Sequence, residues 1–281
     1  MTKTTAISIL WLLAAWAAAD ATELLPQPRY ANPESTRIYQ VSSAATCHTY
    51  RFRSLFGGPQ SLSILKIRWE PQLRWGAFFT GTPERRTAIA MAREIDALAA
   101  INASNFHFCT PPWPSHSLKA GGKLIVRYER PLPFHGYFGF KNGEFPEIDF
   151  MTAKVDFDRF DHLQHATFLL LKDGKLSPRL VPEDFGVGRE AHPRTLVGID
   201  RKNRLIYWIV ADGRTDQARG LTFRDAITLL QDLGCDDALN LDGGGSSIMY
   251  LKEHGVISHP SDNNRFDHEG ARPMVAIWYL K

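Results

Sequence analysis

The sequence predicts an α+β fold, a single domain with one large, mostly antiparallel or mixed β-sheet covered by helices. Segments in which apolar and polar residues alternate, as in strands, outnumber segments with helical periodicity. Tight-turn sequences such as 141–143 and 172–174 join neighbouring strands as hairpins. No repeat, low-complexity run or linker divides the chain.

Composition is that of an ordinary globular protein. The chain has 281 residues, of which 44% are hydrophobic and 22% are charged. The net charge of +3 is too small for a nucleic-acid-binding surface, so no nucleic-acid partner is expected. A mild positive field suits an anionic ligand, although only weakly.

Residues 1–21 have the pattern of a cleaved signal peptide. Lys3 supplies the positive charge, residues 6–19 are apolar, and residues 19–21 form a small-residue cleavage site. The apolar run is short for a membrane span, and no later segment is apolar enough to be one. The sequence therefore predicts a secreted or periplasmic protein, and the alternative is an uncleaved N-terminal anchor.

The first half of the chain reads mainly as strands. Alternation predicts strands within 36–52, 62–69 and 73–79, after a Pro-rich lead-in. A helix opens at Pro83-Glu84, and a strand at about 98–101 leads to Asn102. Further strands are predicted at 124–128, 137–140, 145–150 and 167–171.

The second half contains a hairpin of residues 196–199 and 205–211. Arg194 lies at one open end of this hairpin and Asp212 at the other, so the fold should bring them together. Because the arginine guanidinium is a planar fork that matches phosphate oxygens, Arg194 is a candidate anion ligand. Asp212 precedes a glycine, so turn formation is an equally good explanation for it.

The last helix has clear boundaries. Thr222 and Asp225 form a capping-box pattern, and Gly234 has the position of a C-terminal cap. A strand at 237–241 follows, and the chain ends in a strand at 274–280.

Cysteines and histidines give no clear metal site. Three cysteines leave at least one unpaired; a Cys47–Cys109 disulfide and buried reduced thiols both remain open. Neither His107 with Cys109 nor His162 with His165 has a second ligand pair at zinc spacing. No metal site or cofactor is predicted, and a requirement for a divalent metal stays open.

The stretch 238–250 carries the strongest functional signal. An apolar run leads into Asp242, three glycines and two serines, and a second apolar run follows. Glycine N–H groups in such a turn can form an anion-binding nest beside the acid. The sequence lacks the lysine of a P-loop and the final glycine of a dinucleotide or nucleophile-elbow motif. The alternative is a glycine-rich turn capped by an aspartate.

This stretch, with Asn-Leu-Asp-Gly-Gly-Gly-Ser-Ser at 240–247, resembles the signature of the phosphodiester glycosidase family. Four more blocks resemble that family in the same order: residues 102–106, His-Pro-Arg-Thr at 192–195 running into 198–200, Asp-Gly-Arg at 212–214, and Arg-Pro at 272–273. The resemblance covers roughly residues 60–281, which would form the catalytic domain, with 22–59 as lead-in and first strands. Asn105 departs from the family pattern, which often has an aromatic residue there.

The resemblance implies an enzyme that hydrolyses a sugar-1-phosphodiester, with an envelope or exopolysaccharide glycan as the expected substrate. Asp242 is the first choice for the carboxylate that acts as nucleophile or base, Asp212 is the second, and His192 is a candidate acid. Neighbouring N–H donors are expected to keep Asp242 ionised. The expected substrate and phosphate ligands are Arg194, Arg272, Arg214, Asn102, Asn240, Ser246, and the nest of Gly243, Gly244 and Gly245.

Two other functions remain open at this point. Seven tryptophans and several tyrosines are also compatible with a non-catalytic glycan-binding or assembly protein of the cell envelope. A phosphodiesterase that cleaves the P–O bond rather than the C–O bond would need the same anion-binding groups.

Overall fold

A computed structural model describes residues 24–81, 84–103, 105–109 and 111–281, so the predicted signal peptide lies outside the described residues. Strands make up 42% and helices 13% of the structure. The helices are α1 (Ala88–Glu94), α2 (Gly186–Arg189) and α3 (Phe223–Asp232). The strands are β1 (Ser35–Ser42), β2 (Ala45–Leu55), β3 (Gly58–Arg68), β4 (Trp75–Phe79), β5 (Ala99–Asn102), β6 (Phe106–His107), β7 (Trp113–Pro114), β8 (Leu118–Ala120), β9 (Lys123–Val126), β10 (Gly136–Phe140), β11 (Glu147–Phe150), β12 (His162–Ala166), β13 (Phe168–Lys172), β14 (Lys175–Leu176), β15 (Arg194–Asp200), β16 (Leu205–Ala211), β17 (Asp237–Asn240), β18 (Met249–Leu251), β19 (Gly255–Val256) and β20 (Ala276–Leu280).

The strands form three sheets and one short ribbon. The largest sheet has eight strands in the order β1-β2-β3-β16-β15-β17-β13-β14. Two five-stranded sheets follow the orders β11-β10-β12-β8-β9 and β19-β18-β5-β20-β4, and β6 pairs with β7. Neighbouring strands of the eight-stranded sheet are antiparallel throughout, as the hairpin turns predict.

The prediction of one sheet covered by helices is wrong. One face of the eight-stranded sheet, with Trp208 and Leu239, packs against residues of the five-stranded sheets, including Phe138 and Ile277. The opposite face packs against α3 through residues such as Leu230. Only one face is therefore covered by a helix of substantial length, and the other is covered by sheets.

The error has a physical reason. Strands β15 and β17 are buried along their whole length, and the middle of each, residues 196–199 and 238–239, is a short apolar run. Such a run shows that both faces are covered but not which type of element covers them. The covering strands β10, β12, β18 and β20 have five residues or fewer, too short for a reliable pattern.

Some predicted boundaries also move. The alternating stretch 36–52 is a hairpin of β1 and β2 rather than one element. A helix start at Pro83-Glu84 was predicted; the described residues 84–87 are not helical, and helix α1 begins at Ala88, where the Thr87 side chain accepts a hydrogen bond from the Ala90 N–H at 3.2 Å. Strand β3 pairs with both β2 and β16, so the first three strands extend the eight-stranded sheet.

Helix α3 has the predicted ends. The Thr222 hydroxyl accepts from the Asp225 N–H at 3.2 Å, and the Asp225 carboxylate accepts from the Thr222 N–H at 3.0 Å. Gly234 follows with a φ of 78°, in the left-handed region that glycine tolerates. The helix is therefore fixed at both ends directly before β17.

The Cys47–Cys109 disulfide does not form. All three cysteines are free thiols, with Cys47 and Cys235 buried and Cys109 exposed. The Cys47 sulfur lies 3.6 Å from the sulfur of Met249, and burial raises the pKa of its thiol.

In the part of the chain that the structure describes, no helix is long and apolar enough to cross a membrane.

Candidate active site

A cleft of about 240 Å³ opens where loops from several strands meet at one edge of the eight-stranded sheet. Leu196, near the start of β15, pairs with Asn240, the last residue of β17, so the start of one strand adjoins the end of the other. The cleft is lined by Asn105, Thr167, Phe168, Val187, His192, Pro193, Arg194, Arg214, Asn240, Leu241, Asp242, Gly243, Gly244, Gly245 and Arg272. Each of the five sequence blocks thus contributes at least one residue to this cleft, whereas Asn102 and Asp212 do not line it.

Asp242 is the only carboxylate among the described residues that lines this cleft. The Asn105 amide donates a hydrogen bond to its Oδ1 at 2.7 Å. Burial raises the pKa of Asp242 to about 6, although the Ser246 hydroxyl, the Arg272 charge and the Gly243 N–H lower it. The effect of burial on this pKa is therefore larger than that of the hydrogen-bond donors that were expected to keep the group ionised, and the carboxyl group titrates near neutral pH.

Asn102 lies behind the cleft and not in it. Its amide donates to the main-chain carbonyl of Asp242 at 2.7 Å. Its Oδ1 accepts from the Thr195 hydroxyl at 2.6 Å and from the Ile248 N–H at 3.3 Å. With its side chain fully used in this way, Asn102 fixes the backbone of the glycine loop.

Gly244 and Gly245 make room for two guanidinium groups. A Cβ on Gly244, which has a φ of 60°, would lie 2.9 Å from Arg214 Nη2. A Cβ on Gly245 would overlap the side chains of Asp262 and Arg272. Side chains at these positions would therefore push the two arginines away from the loop that carries Asp242.

The N–H groups of the loop are largely used inside the protein. The Gly244 N–H donates to the Pro193 carbonyl at 2.9 Å, and the Gly243 N–H donates to the Asp242 carboxylate. The N–H groups of Ser246 and Ser247 donate to the carbonyls of Gly243 and Gly244. At least two glycine N–H groups of the predicted nest are therefore not available to an anion. The arginine side chains of the cleft are the main groups left to bind one.

Arg272 is paired with an acid. Its Nε and Nη2 donate to the two carboxylate oxygens of Asp262, each at 2.7 Å, and Nη1 donates to the Ser246 hydroxyl at 3.3 Å. Asp262 carried no recognisable signal in the sequence. Arg272 therefore offers the cleft a partly neutralised charge in a fixed position.

Arg194 is buried, and its guanidinium is held by main-chain carbonyls. Its Nε donates to Leu221 at 2.8 Å, and its Nη2 donates to Glu190 at 3.1 Å and to Val187. Burial lowers its pKa to about 10, and the guanidinium lies 4.6 Å from the Phe223 ring centroid. Arg194 therefore connects Val187, which lines the cleft, to the start of helix α3.

Arg214 is the exposed arginine of the cleft. Within the described residues its guanidinium forms no hydrogen bond or ion pair, and it lies over Gly244. Its charge, after burial and the charge of Arg194, contributes to lowering the pKa of His192. His192 Nε2 is 3.3 Å from Glu190 Oε2, and with a lowered pKa the ring is predominantly neutral at neutral pH.

Asn240 and Ser246 differ in what they offer. The buried Asn240 side chain donates to the Leu241 carbonyl at 2.7 Å, and its Oδ1 has no partner among the described residues. Ser246 is buried and bonded to both Arg272 and Asp242. The Asn240 amide is therefore held against its own backbone with Oδ1 buried, whereas Ser246 links the acid to the arginine.

Asp212 does not reach the cleft. Its carboxylate accepts hydrogen bonds from the Ser61 hydroxyl at 2.6 Å and from the His259 N–H at 2.7 Å, and it lies 2.7 Å from His259 Nδ1. These contacts use both carboxylate oxygens in the interior. Asn105, in contrast, does contact Asp242, and its place in the 102–106 block was the signal that could have identified it.

The sequence profile of the phosphodiester glycosidase family matches residues 96–280. The chain therefore belongs to the phosphodiester glycosidase family, which confirms the resemblance of the five blocks. N-acetylglucosamine-1-phosphodiester alpha-N-acetylglucosaminidase of mouse is 44% identical over 71 residues, which are 25% of this chain and 13% of that protein. The SPbeta prophage-derived protein YomE of Bacillus subtilis is 29% identical over 206 residues, which are 66% of this chain and 29% of that protein. The chain thus covers less than a third of the length of either relative.

Solved structures share the fold. The catalytic domain of zebrafish N-acetylglucosamine-1-phosphodiester alpha-N-acetylglucosaminidase, auto-inhibited by its pro-peptide, has a TM-score of 0.67 at 18% identity, over 93% of this chain and 98% of that one. An exported protein of Burkholderia pseudomallei has a TM-score of 0.58 at 14% identity, over 81% of this chain and 75% of that one. At these identities the likeness concerns the fold alone.

The different roles of Arg194 and Arg214 can be tested by measuring the stability of variants. Arg194→Lys should lower the free energy of unfolding by on the order of 1–3 kcal/mol, because a lysine cannot serve the three carbonyls and leaves buried acceptors unpaired. Arg214→Lys, a change at an exposed side chain, should stay within about 0.5 kcal/mol of wild type. Urea titration of the purified variants measures both values. Equal stability of the Arg194→Lys variant and wild type would contradict the structural role of Arg194.

Proposed function

We propose that this protein hydrolyses a sugar-1-phosphodiester and releases the sugar from the phosphate that caps it. Membership of the phosphodiester glycosidase family supports hydrolysis of this bond type. The names of the mouse and human relatives describe such a cleavage for those proteins. The observation that carries the proposal is that Asp242, the single carboxylate lining the cleft among the described residues, shares it with guanidinium groups that lie over Gly244 and Gly245.

The arrangement fits a substrate with one negative charge next to a sugar carbon. Arg214, which has no internal acid partner among the described residues, is the proposed phosphate ligand. Arg272 supports it with the charge left over from its pairing with Asp262. With the phosphate on the arginine side, the anomeric carbon of the sugar would face Asp242.

In the proposed reaction the bond between the anomeric carbon and the phosphate oxygen breaks, and its electron pair leaves with the phosphate. The guanidinium groups stabilise the charge that grows there. Asp242 supports the oxocarbenium-like carbon, either by attacking it or by taking a proton from the water that attacks it. Asn105 and Ser246 orient the carboxylate through their hydrogen bonds.

One carboxylate suffices for this substrate class. Glycosidases that expel an alcohol use a second carboxyl group as acid, because an alkoxide is a poor leaving group. A phosphate monoester leaves as a stable anion and needs no such proton. His192, neutral at neutral pH, is then a proposed contact for a sugar hydroxyl group rather than an acid.

We further propose a phosphate-containing glycan of the cell envelope or an exopolysaccharide as substrate, and a secreted or periplasmic location. The location rests on the signal-peptide pattern of residues 1–21. The likeness to an exported Burkholderia pseudomallei protein agrees with it. Residues 60–281 are the proposed catalytic domain, to which the strands before residue 60 add one edge of the main sheet.

The Asp242→Asn substitution tests the catalytic assignment. It keeps the size of the side chain but removes the charge, so turnover of a sugar-1-phosphodiester should fall at least about a hundredfold. Because burial penalises the charged form of Asp242, the variant should melt no lower than wild type. Asp216→Asn, at an exposed position near Arg214, is the matched control and should keep full activity. Wild-type turnover in the Asp242→Asn variant would falsify the assignment and move attention to Asp212.

The pH dependence gives an independent check. If Asp242 acts as an ionised group with a pKa of about 6, kcat/KM should fall about tenfold per pH unit below 6 and level off above it. The sign follows from the raised pKa, since the active carboxylate is lost as pH falls through that value. His192→Gln should keep this acidic limb, which separates Asp242 from the neighbouring imidazole. A profile that is flat through pH 5–7 in wild type would contradict the proposal.

Hydrolysis in ¹⁸O-labelled water decides which bond breaks. The proposal predicts label in the released sugar and none in the phosphate. Label in the phosphate would indicate a phosphodiesterase that cleaves the P–O bond. A panel of sugar-1-phosphodiesters tests the remaining alternative. If the protein binds members of the panel but hydrolyses none of them, a glycan-binding protein is favoured instead.

A further inference from the structure

Three histidine side chains from separate segments meet beside the cleft. They are His116, between β7 and β8, His135, directly before β10, and His165 on β12. One ring nitrogen of each lies within 4.8 Å of the corresponding nitrogens of the other two. Their positions in the sequence form no metal-binding motif, so only the fold brings them together.

The backbone fixes these three positions. Strands β10 and β12 are antiparallel neighbours in which Tyr137 pairs with His165, which places His135 beside the same strand end. The His165 N–H donates to the Ser117 carbonyl at 2.9 Å, and this bond aligns His116 with them. His165 thus lies within a strand, and backbone hydrogen bonds of the sheet hold the segments that carry His116 and His135 beside it.

The histidines do not satisfy one another. His165 Nε2 and His135 Nδ1 are 2.8 Å apart, so one donates and the other accepts. His165 and His135 are buried, and His165 Nδ1 has no hydrogen-bond partner among the described residues. No carboxylate forms a hydrogen bond or ion pair with the three rings in the described part of the chain. A buried polar group without a partner is costly unless something else binds there.

We propose that His116, His135 and His165 bind one divalent transition-metal ion, with Zn²⁺ as the first choice. Neutral imidazoles are preferred ligands of zinc, whereas calcium and magnesium need oxygen ligands, which this cluster lacks. Zinc with nitrogen ligands at about 2.0–2.1 Å in a tetrahedron separates them by roughly 3.4 Å. The three ligand nitrogens lie within 4.8 Å of one another, so small side-chain adjustments can bring them to that spacing.

Three protein ligands leave one coordination position, and His116 is only partly buried, so solvent can reach this side of the cluster. The site would adjoin the cleft. Thr167, two residues after His165, lines the cleft, and Phe134, next to His135, stacks at 5.6 Å on Phe168, which also lines it. A bound ion would therefore hold the cleft wall together and raise the stability of the protein.

Metal content tests the proposal separately from any enzymatic activity. Protein purified without a polyhistidine tag, stripped with a chelator and incubated with equimolar Zn²⁺, should retain about one zinc per chain after gel filtration. His165→Ala and the partly exposed His116→Ala should each retain less than about a tenth of that amount. His254→Ala, at an exposed histidine outside the cluster, should retain as much as wild type.

Two further measurements guard against misfolded variants. Zn²⁺ should raise the melting temperature of stripped wild type but not that of folded His116→Ala, as expected for a ligand that binds only the native state. Co²⁺ should give wild type the visible absorption of a tetrahedral site, and His116→Ala should lack it. The proposal is overturned if wild type retains no zinc, or if His116→Ala retains as much as wild type.

Discussion

The site depends on the close approach of Arg214 and Arg272 to the backbone of two glycines, where side chains would leave no room. Arg214 lies against Gly244, and Arg272 with Asp262 lies against Gly245. Asp242 precedes these glycines and is held from behind, where Asn102 binds its carbonyl. Asn102 belongs to β5 in a five-stranded sheet, and its partner Thr195 belongs to β15 in the eight-stranded sheet. The glycine loop is therefore positioned by the junction of two sheets.

The three arginines near the cleft are in three electrostatic states. Arg272 shares its charge with Asp262, Arg194 is buried against carbonyl dipoles and the Phe223 ring, and Arg214 is exposed. This division explains why Asp242 is not strongly acidic although the Arg272 charge acts on it. Pairing of Arg272 with Asp262 weakens its pull on Asp242, and burial then raises the pKa of the carboxyl group.

Local patterns predicted much of this structure. The β15–β16 hairpin, the capped helix α3 and the strand before Asp242 depend on neighbouring residues, so turn and cap chemistry was sufficient. The layer that covers the main sheet could not be predicted, since an apolar strand carries no information about its partner. The sequence ranked Asp242 above Asp212 but could not exclude Asp212, because each precedes a glycine and only the fold separates an interior anchor from a cleft residue. The histidine cluster joins three distant segments and had no spacing to detect.

The structure explains why Asp212, Gly213 and Arg214 occur together in one block. Arg214 has a φ of 65°, a conformation that costs a residue with a side chain on the order of 1–3 kcal/mol. Such strain persists only where the surroundings fix the backbone. Asp212 is fixed by Ser61 and His259, and a Cβ on Gly213 would lie 2.9 Å from the Pro193 nitrogen. Asp212 can therefore matter for the reaction without touching substrate, because it holds the strained turn that places the exposed Arg214 guanidinium over Gly244.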